Sequence, residues 1–246
     1  MTSIGFIGLG MMGSPLVRRL AAAGHLLHVC DRRVDVVSAL ADGSQVHAAE
    51  SPAAVIAAAE VVFTCLPSVD AIRAVYEGEQ GLLGAARPNT LVCELSTTSP
   101  QMSDEYASAL AARGADFAEA PMIGPPSAAA DGGLFFILGC GDAARAVLEP
   151  LFAVMGRASR HVGGVGMASR AKLLHNALGM IHATASAEVL GLCRKVGVDG
   201  DAFIEIIRQA ALSRGVGYST FFDLHAADIL KGRDGGAGRL YIGAKD

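Results

Sequence analysis

The sequence predicts an α/β fold, a doubly wound, mostly parallel sheet followed by a long connecting helix and an all-α C-terminal domain. Three observations predict it. A short apolar run at the N-terminus passes straight into Gly8-Leu9-Gly10-Met11-Met12-Gly13, the G-x-G-x-x-G spacing of a strand-to-helix turn. Apolar, β-rich runs then alternate with helical segments at the spacing of βαβ units. Beyond Gly166 the strand-like runs give way to helical periodicity. Together these place a Rossmann-type domain over 1–165, and a connecting helix with a helical substrate or oligomerisation domain over 166–246.

The elements follow in order. After the glycine turn, Pro15 to Leu20 is helical and stops at Gly24, a C-terminal cap. Leu26 to Cys30 is the second strand and ends at Asp31; Val34 to Leu40 is a short helix and Gln45 to Ala48 a brief strand. Ser51-Pro52 starts a helix, with serine at the N-cap and proline at the first helical position. Val61 to Leu66 is a buried strand closed by Pro67, Val69 to Tyr76 is helical, and Thr90 to Thr97 is another β-rich run. Ser99-Pro100 caps a helix that ends at Arg113-Gly114. Phe117 to Met122 and Leu134 to Gly139 read as strands separated by Gly124-Pro125-Pro126 and a small-residue tract, Ala128 to Asp131. A helix from Asp142 to Met155 and a short strand from Ser159 to Val162 close this part. Met167 to Val196 then makes one helix of about 30 residues, ~45 Å long. Asp199 to Leu212 and Tyr218 to Leu230 supply two more helices before a glycine-rich loop and Lys245-Asp246.

Composition narrows the function. With 52% hydrophobic and 18% charged residues in 246, the chain can bury a sizeable core. Aromatics are 5% and Trp is absent, so small aliphatic residues make the contacts. The net charge of −4 and the dispersed basic residues argue against a nucleic-acid partner. Cys30, Cys65, Cys93, Cys140 and Cys193 form no C-x-x-C pair and read as small buried hydrophobes in a reducing compartment. No uninterrupted apolar run reaches the ~18 residues of a membrane span, and no leader-like segment opens the chain. The expectation is a soluble, cytoplasmic protein with no membrane partner and no metal site.

The chemistry is carried by two stretches. In the first, Gly8 permits the tight turn, Gly10 lets a pyrophosphate approach the backbone, and Gly13 lets helix and strand pack closely. The N–H groups of Met11 and Met12 lie at a helix N-terminus, where partial positive charge favours phosphate. An ordinary glycine-rich turn is the competing reading of that spacing. Asp31, 18 residues after Gly13, can accept both ribose hydroxyls of an adenosine and repel a 2′-phosphate. It can equally be a turn or N-cap aspartate. Arg32 and Arg33 bear on the same choice, because a guanidinium stacks on adenine or pairs a 2′-phosphate; the balance favours NAD, with NADP open. The cofactor edge also takes in Leu66-Pro67 and Ser96-Thr97, at the C-terminal ends of strands. In the second stretch, Lys172 sits among Ala, Leu and Met on the long helix, where burial disfavours an ammonium and suits acid–base work. Asn176 shares its face one turn on. A snorkelling lysine with a solvent-facing asparagine is the alternative.

At these residues the chain resembles the β-hydroxyacid dehydrogenase family, which includes 3-hydroxyisobutyrate dehydrogenase and tartronate semialdehyde reductase. Phe6 to Gly13 resembles its cofactor loop, and Glu94-Leu95-Ser96-Thr97-Thr98-Ser99-Pro100 its D-x-S-T-x-x-P block with Glu for Asp. Glu119-Ala120-Pro121 with Gly124 is similar to its substrate loop, D-A-P-V-S-G-G. Gly166 through Lys172 to Asn176 resembles its catalytic helix, and Lys245-Asp246 the opening of its last helical segment. The resemblance implies an NAD(P)-dependent enzyme transferring hydride between nicotinamide and a small hydroxyacid-like alcohol or aldehyde, and a homodimer or homotetramer. It implies that Gly8, Leu9, Gly10, Met11, Met12, Gly13, Asp31 and Arg32 hold the cofactor, with Leu66 and Pro67 bordering it and Thr97 and Lys245 by the nicotinamide. It makes Lys172 the general acid or base and Asn176 a substrate-orienting group, with Ser96, Met122, Ile123, Gly124 and His175 near the substrate. The departures are specific. Ile123-Gly124-Pro125 stands where the family has Ser-Gly-Gly, which removes a hydroxyl and a backbone donor from the carboxylate grip. Ala168 replaces a glycine and His175 the first Asn of a pair, with a packed helix histidine as the alternative for His175. Family members run further than Asp246, so the helical part is expected to be incomplete. An imine reductase-like enzyme on the same scaffold and a non-catalytic dinucleotide-binding module are the alternative functions.

Overall fold

The computed structural model describes residues 2–41 and 44–214. It forms two compact units, one ending at Lys172 and the other beginning at Leu173. The expected helix over Tyr218 to Leu230 and the terminal Lys245-Asp246 lie outside the described residues.

The first unit opens with β1 (Ser3–Ile7), α1 (Gly13–Ala22), β2 (Leu26–Cys30), α2 (Val34–Leu40) and β3 (Val46–Ala48). It continues through α3 (Pro52–Ala58), β4 (Val61–Thr64), α4 (Val69–Glu77), α5 (Leu82–Ala85) and β5 (Leu91–Glu94). After α6 (Pro100–Ala111) come β6 (Asp116–Glu119), β7 (Met122–Ile123), α7 (Pro126–Asp131), β8 (Phe135–Gly139), α8 (Asp142–Met155) and β9 (Ala158–Gly163). Serine caps at Ser51, Ser68 and Ser99 each accept a backbone N–H three residues on, which fixes where α3, α4 and α6 begin.

The strands make one sheet in the order β3-β2-β1-β4-β5-β6-β8-β7, with β9 paired to β8. Pairing is parallel from β3 across to β6. Strand order therefore reverses between β1 and β4, and that switch point opens a crevice at the C-terminal ends of these two strands. The run expected as a strand from Phe117 to Met122 is broken after Glu119. Pro121 has no N–H for a ladder, and the chain re-enters as β7 antiparallel to β8, so the far side of the sheet is mixed. The small-residue tract between the strands is helical: Ala-rich α7 has Pro126 in its first turn and a left-handed Gly132 after its end.

Both faces of the sheet are covered. One face joins Phe6, Phe63, Phe136 and Phe152, whose rings lie 4.5–6.2 Å apart, to Leu16, Val17 and Leu20 of α1 and Leu148 of α8. The other packs Val55, Ile56, Ile72, Tyr76 and Leu110 against Val62, Val92 and Phe117. All five cysteines are free thiols, and burial pushes Cys30, Cys93 and Cys140 above the ordinary thiol range. α9 (Met167–Lys195) has its first turns in the first unit and its remainder in the second, which also contains α10 (Gly200–Arg214). Within the second unit, Leu190 and Ile204 pack with Phe203 and Ile207. No helix among the described residues is long and apolar enough to cross a membrane.

Candidate active site

The three glycines of the first turn differ in what surrounds them. Gly8 has φ +96°, and a Cβ there would overlap the carbonyl oxygen of Cys65, because the loops after β1 and β4 run side by side. A Cβ on Gly13 would overlap the Gly8 carbonyl and touch the Phe6 ring, so Gly13 is what lets α1 press against β1. A Cβ on Gly10 would meet nothing within 4 Å. Gly10 therefore faces open space, where the other two fill protein contacts. α1 begins without a side-chain cap, and Met11 turns its side chain to solvent at 72% exposure. The first-turn N–H groups are then presented to that open space with the positive end of the helix dipole behind them.

Asp31 stands beside this turn. Its Oδ2 accepts the Leu9 N–H at 2.7 Å and its Oδ1 the Arg33 N–H at 2.9 Å. Arg32 and Arg33 are both exposed, and Arg33 folds back over the loop: its Nε lies 3.5 Å from Asp31 Oδ1 and its guanidinium donates to the Leu9 carbonyl at 3.3 Å. The carboxylate is thus held at the end of β2, against the glycine loop.

Across the switch point, the ends of β4 and β5 are tied by a polar cluster. Leu66 N–H donates to Ser96 Oγ at 2.7 Å, and Ser96 N–H donates to Glu94 Oε1 at 2.7 Å. Thr64 Oγ1 donates to Glu94 Oε2 at 2.8 Å and lies 3.2 Å from the Tyr76 hydroxyl. Glu94 is fully buried, and burial pushes its carboxyl up to about 7 against the downward pull of these hydrogen bonds. Ser96 is itself buried and its hydroxyl serves this tie. Leu66 is buried, Pro67 exposed and Thr97 half-buried.

A second buried cluster reaches α9. Glu119, at the end of β6, accepts the Ala168 and Ser169 N–H groups on Oε1 at 2.8 and 3.0 Å. Its Oε2 accepts the Ser103 hydroxyl at 2.6 Å and the Ser169 hydroxyl. Ser169 Oγ also lies 3.1 Å from Thr98 Oγ1, in the loop beside Thr97. Half-buried Lys172 follows Ser169 by three residues on the same helix. Met122 and Ile123 pair with Phe136 and Phe135, and Gly124 has φ +140° with Leu134 close beneath it. In the second unit, His175 Nδ1 and Asn176 Oδ1 are 3.3 Å apart. In the sequence Glu94 and Glu119 are visible only as motif letters, and nothing there marks Thr64, Ser103 or Ser169. No spacing rule connects side chains that meet only once strands and helices have packed.

A glycine loop at a sheet's switch point, an uncapped helix start and an acidic group at the end of the second strand define a dinucleotide-binding α/β domain. Comparison with known proteins identifies its kind. Residues 3–164 match the family described as the NAD binding domain of 6-phosphogluconate dehydrogenase. The chain is 32% identical over 209 residues to 2-(hydroxymethyl)glutarate dehydrogenase of Eubacterium barkeri, covering 85% of this chain and 69% of that protein. It superposes with TM-score 0.77 on Mycobacterium tuberculosis 3-hydroxyisobutyrate dehydrogenase with L-serine, at 30% identity, covering 84% of this chain and 70% of that one. An imine reductase from Bacillus cereus shares the fold, with TM-score 0.75 at 16% identity over 95% of this chain and 78% of that one. The chain belongs to the β-hydroxyacid dehydrogenase family. It is an NAD(P)-dependent oxidoreductase acting on CH–OH groups.

The residues fit the cofactor. The open face of Gly10 and the uncapped N–H groups after it would receive the pyrophosphate. Asp31 retains lone pairs for ribose hydroxyls beyond the two donors it holds.

Proposed function

We propose that the chain oxidises a small 3-hydroxy acid, or reduces the matching aldehyde, with Lys172 exchanging the hydroxyl proton. The observation that carries this reading is the Ser169–Thr98 contact at 3.1 Å, which ties the lysine-bearing turn of α9 to the loop holding Thr97. Nicotinamide, when bound, takes or gives the hydride. In the oxidative direction the Lys172 amine accepts the alcohol proton as the carbinol carbon loses hydride and becomes a carbonyl. In reduction the ammonium returns that proton to the oxygen. Asn176 is assigned substrate orientation, and Lys245 a place by the nicotinamide, from the family resemblance alone.

The substrate class follows from shared chemistry. Both 2-(hydroxymethyl)glutarate and 3-hydroxyisobutyrate, acted on by the named relatives, carry a hydroxymethyl group on the carbon next to a carboxylate, as does L-serine. Ile123-Gly124-Pro125 offers fewer donors to that carboxylate than Ser-Gly-Gly would, which favours a substrate whose acid group is gripped elsewhere. The same loss favours an imine reductase-like activity as a second reading, while Lys172 suits alcohol chemistry. NAD is preferred over NADP because Asp31 is held beside the loop, where a 2′-phosphate would meet its charge. A cytoplasmic homodimer or homotetramer, with 1–165 binding the dinucleotide and 166–246 completing substrate binding and assembly, completes the proposal.

The test is Lys172→Ala, assayed with NAD and L-serine or 3-hydroxyisobutyrate, and in reverse with NADH and a panel of aldehydes and cyclic imines. Turnover is expected to fall roughly 10²- to 10⁴-fold with NADH affinity within about 2-fold. Near-normal alcohol oxidation by the variant removes Lys172 from the chemistry, and NADH oxidation by cyclic imines alone selects the second reading.

A further inference from the structure

We propose that Glu119 is a positioning residue for Lys172: it sets the rotation and height of the first turn of α9. The proposal rests on the acid–base reading of Lys172. Glu119 has no exposed surface, and taking a carboxylate out of water is strongly unfavourable unless its lone pairs are satisfied. Here they are satisfied from three directions. Two donors are the adjacent backbone N–H groups of Ala168 and Ser169, a third is the Ser169 hydroxyl, and the fourth is Ser103 from α6. Amide N–H groups at a helix start donate in one direction only, so they need an acceptor and meet one whose charge also complements the helix dipole.

Three bonds to two successive helical residues fix more than a helix end. They index the helix about its own axis. Lys172 lies three residues beyond Ser169, roughly 300° of rotation and ~4.5 Å of rise, so it projects near the face that Glu119 grips. A slip of α9 by one residue would turn Lys172 away by about 100°. The same Ser169 hydroxyl meets Thr98 at 3.1 Å, and Ser103 Oγ lies 3.1 Å from Thr98 Oγ1 and 3.2 Å from Ser169 Oγ. The loop after β5 and the lysine-bearing helix are therefore referenced to one carboxylate. Gly139 leaves room for it: a Cβ there would come within 2.8 Å of Glu119 Oε1 and 3.0 Å of the Ala168 Cβ. An apolar side chain at 119 would fill the volume and lose the index.

The experiment compares Glu119→Gln and Glu119→Asp with the parent and with Lys172→Ala, measuring kcat and KM for L-serine and 3-hydroxyisobutyrate with NAD, and NADH affinity by fluorescence. Gln turns an amide NH2 toward donors; Asp keeps both anionic oxygens. Glu119→Gln is expected to lower kcat about 10- to 100-fold, the scale of an ångström-sized misplacement, with KM and NADH affinity within about 3-fold. Glu119→Asp is expected to recover most of that loss. In the Lys172→Ala background Glu119→Gln should cost less than about 3-fold, because its effect runs through the lysine. If Glu119→Gln does not fold, Ser169→Ala takes its place, with kcat lowered about 3- to 10-fold. A loss of thermal stability with kcat unchanged overturns the proposal, as does a full kcat loss in the Lys172→Ala background. Near-normal turnover by Lys172→Ala alone brings down the acid–base reading and this proposal with it. A large loss in Lys172→Ala with none in Glu119→Gln brings down only the positioning role.

Discussion

Glu94 links the pH dependence of stability to the polar tie between the ends of β4 and β5. Its carboxyl is fully buried between Thr64, Ser96 and Tyr76 and is raised from 4.5 to about 7, burial being the largest cause. The native state therefore holds a proton, between those two pH values, that the unfolded chain releases. A group raised in this way stabilises fully below pH 4.5, and its contribution is lost as pH climbs through about 7. At ~1.4 kcal/mol per pH unit the rise amounts to about 3 kcal/mol. For a domain of this size, about 2–4 °C in Tm per kcal/mol converts the part lost between pH 5 and 8 to roughly 5–10 °C. Glu94→Gln removes the titration but keeps the geometry, with its carbonyl accepting from Ser96 N–H and its NH2 donating to Thr64 Oγ1. Parent and variant are melted from pH 5 to 8 at constant ionic strength. His28 works in the opposite sense, since burial and its neighbour His47 lower it, but it is common to both proteins and cancels in the difference. The parent should lose Tm toward pH 8 relative to the variant. Superimposable pH profiles would refute the assignment.

Three further outcomes follow from the same geometry. Gly10→Ala should leave Tm within about 2 °C, because nothing lies within 4 Å of the new methyl, and should weaken NADH binding about 10-fold or more in a fluorescence titration. Gly13→Ala, whose methyl meets the Gly8 carbonyl and Phe6, should cost about 1–3 kcal/mol of overpacking, read as a Tm lowered by roughly 2–12 °C; unweakened NADH binding by Gly10→Ala would show that the open space is not where the cofactor lies. Asp31→Ser should raise the KM for NAD about 10-fold while that for NADP changes less, an unchanged NAD/NADP ratio being the contrary result.

Much of the fold was legible in the sequence because local signals and packing agree there. Serine before proline marks the starts of α3 and α6, and the apolar run at β4 is buried on both faces of the sheet. Legibility stops where a single residue changes pairing. Pro121 divides what reads as one strand, and β7 then runs antiparallel to β8, which follows from a missing N–H rather than from hydrophobic periodicity. Alanine-rich α7 reads as a small-residue tract because its six residues are too few to show a helical period.

The site was legible in the same uneven way, and the reason lies in what each group contacts. The glycine loop is read from spacing because its three glycines fall within six residues, although Gly8 also answers to the distant Cys65 carbonyl. Asp31 is 22 residues from Leu9, yet it too was readable, since β1 and β2 are neighbours in a parallel sheet and their ends coincide. Glu119 is 49 residues from Ala168, and Thr98 is 71 from Ser169. Those contacts require the sheet to have placed β6 beside β5 and the chain to have returned from β9 before α9 begins. A motif letter at 119 shows that an acid is wanted there; only the packed structure shows that it faces the helix carrying Lys172. The spacing of the glycine turn is set by adjacent sequence, while the start of the helix that carries Lys172 is held by a buried carboxylate far away in the chain.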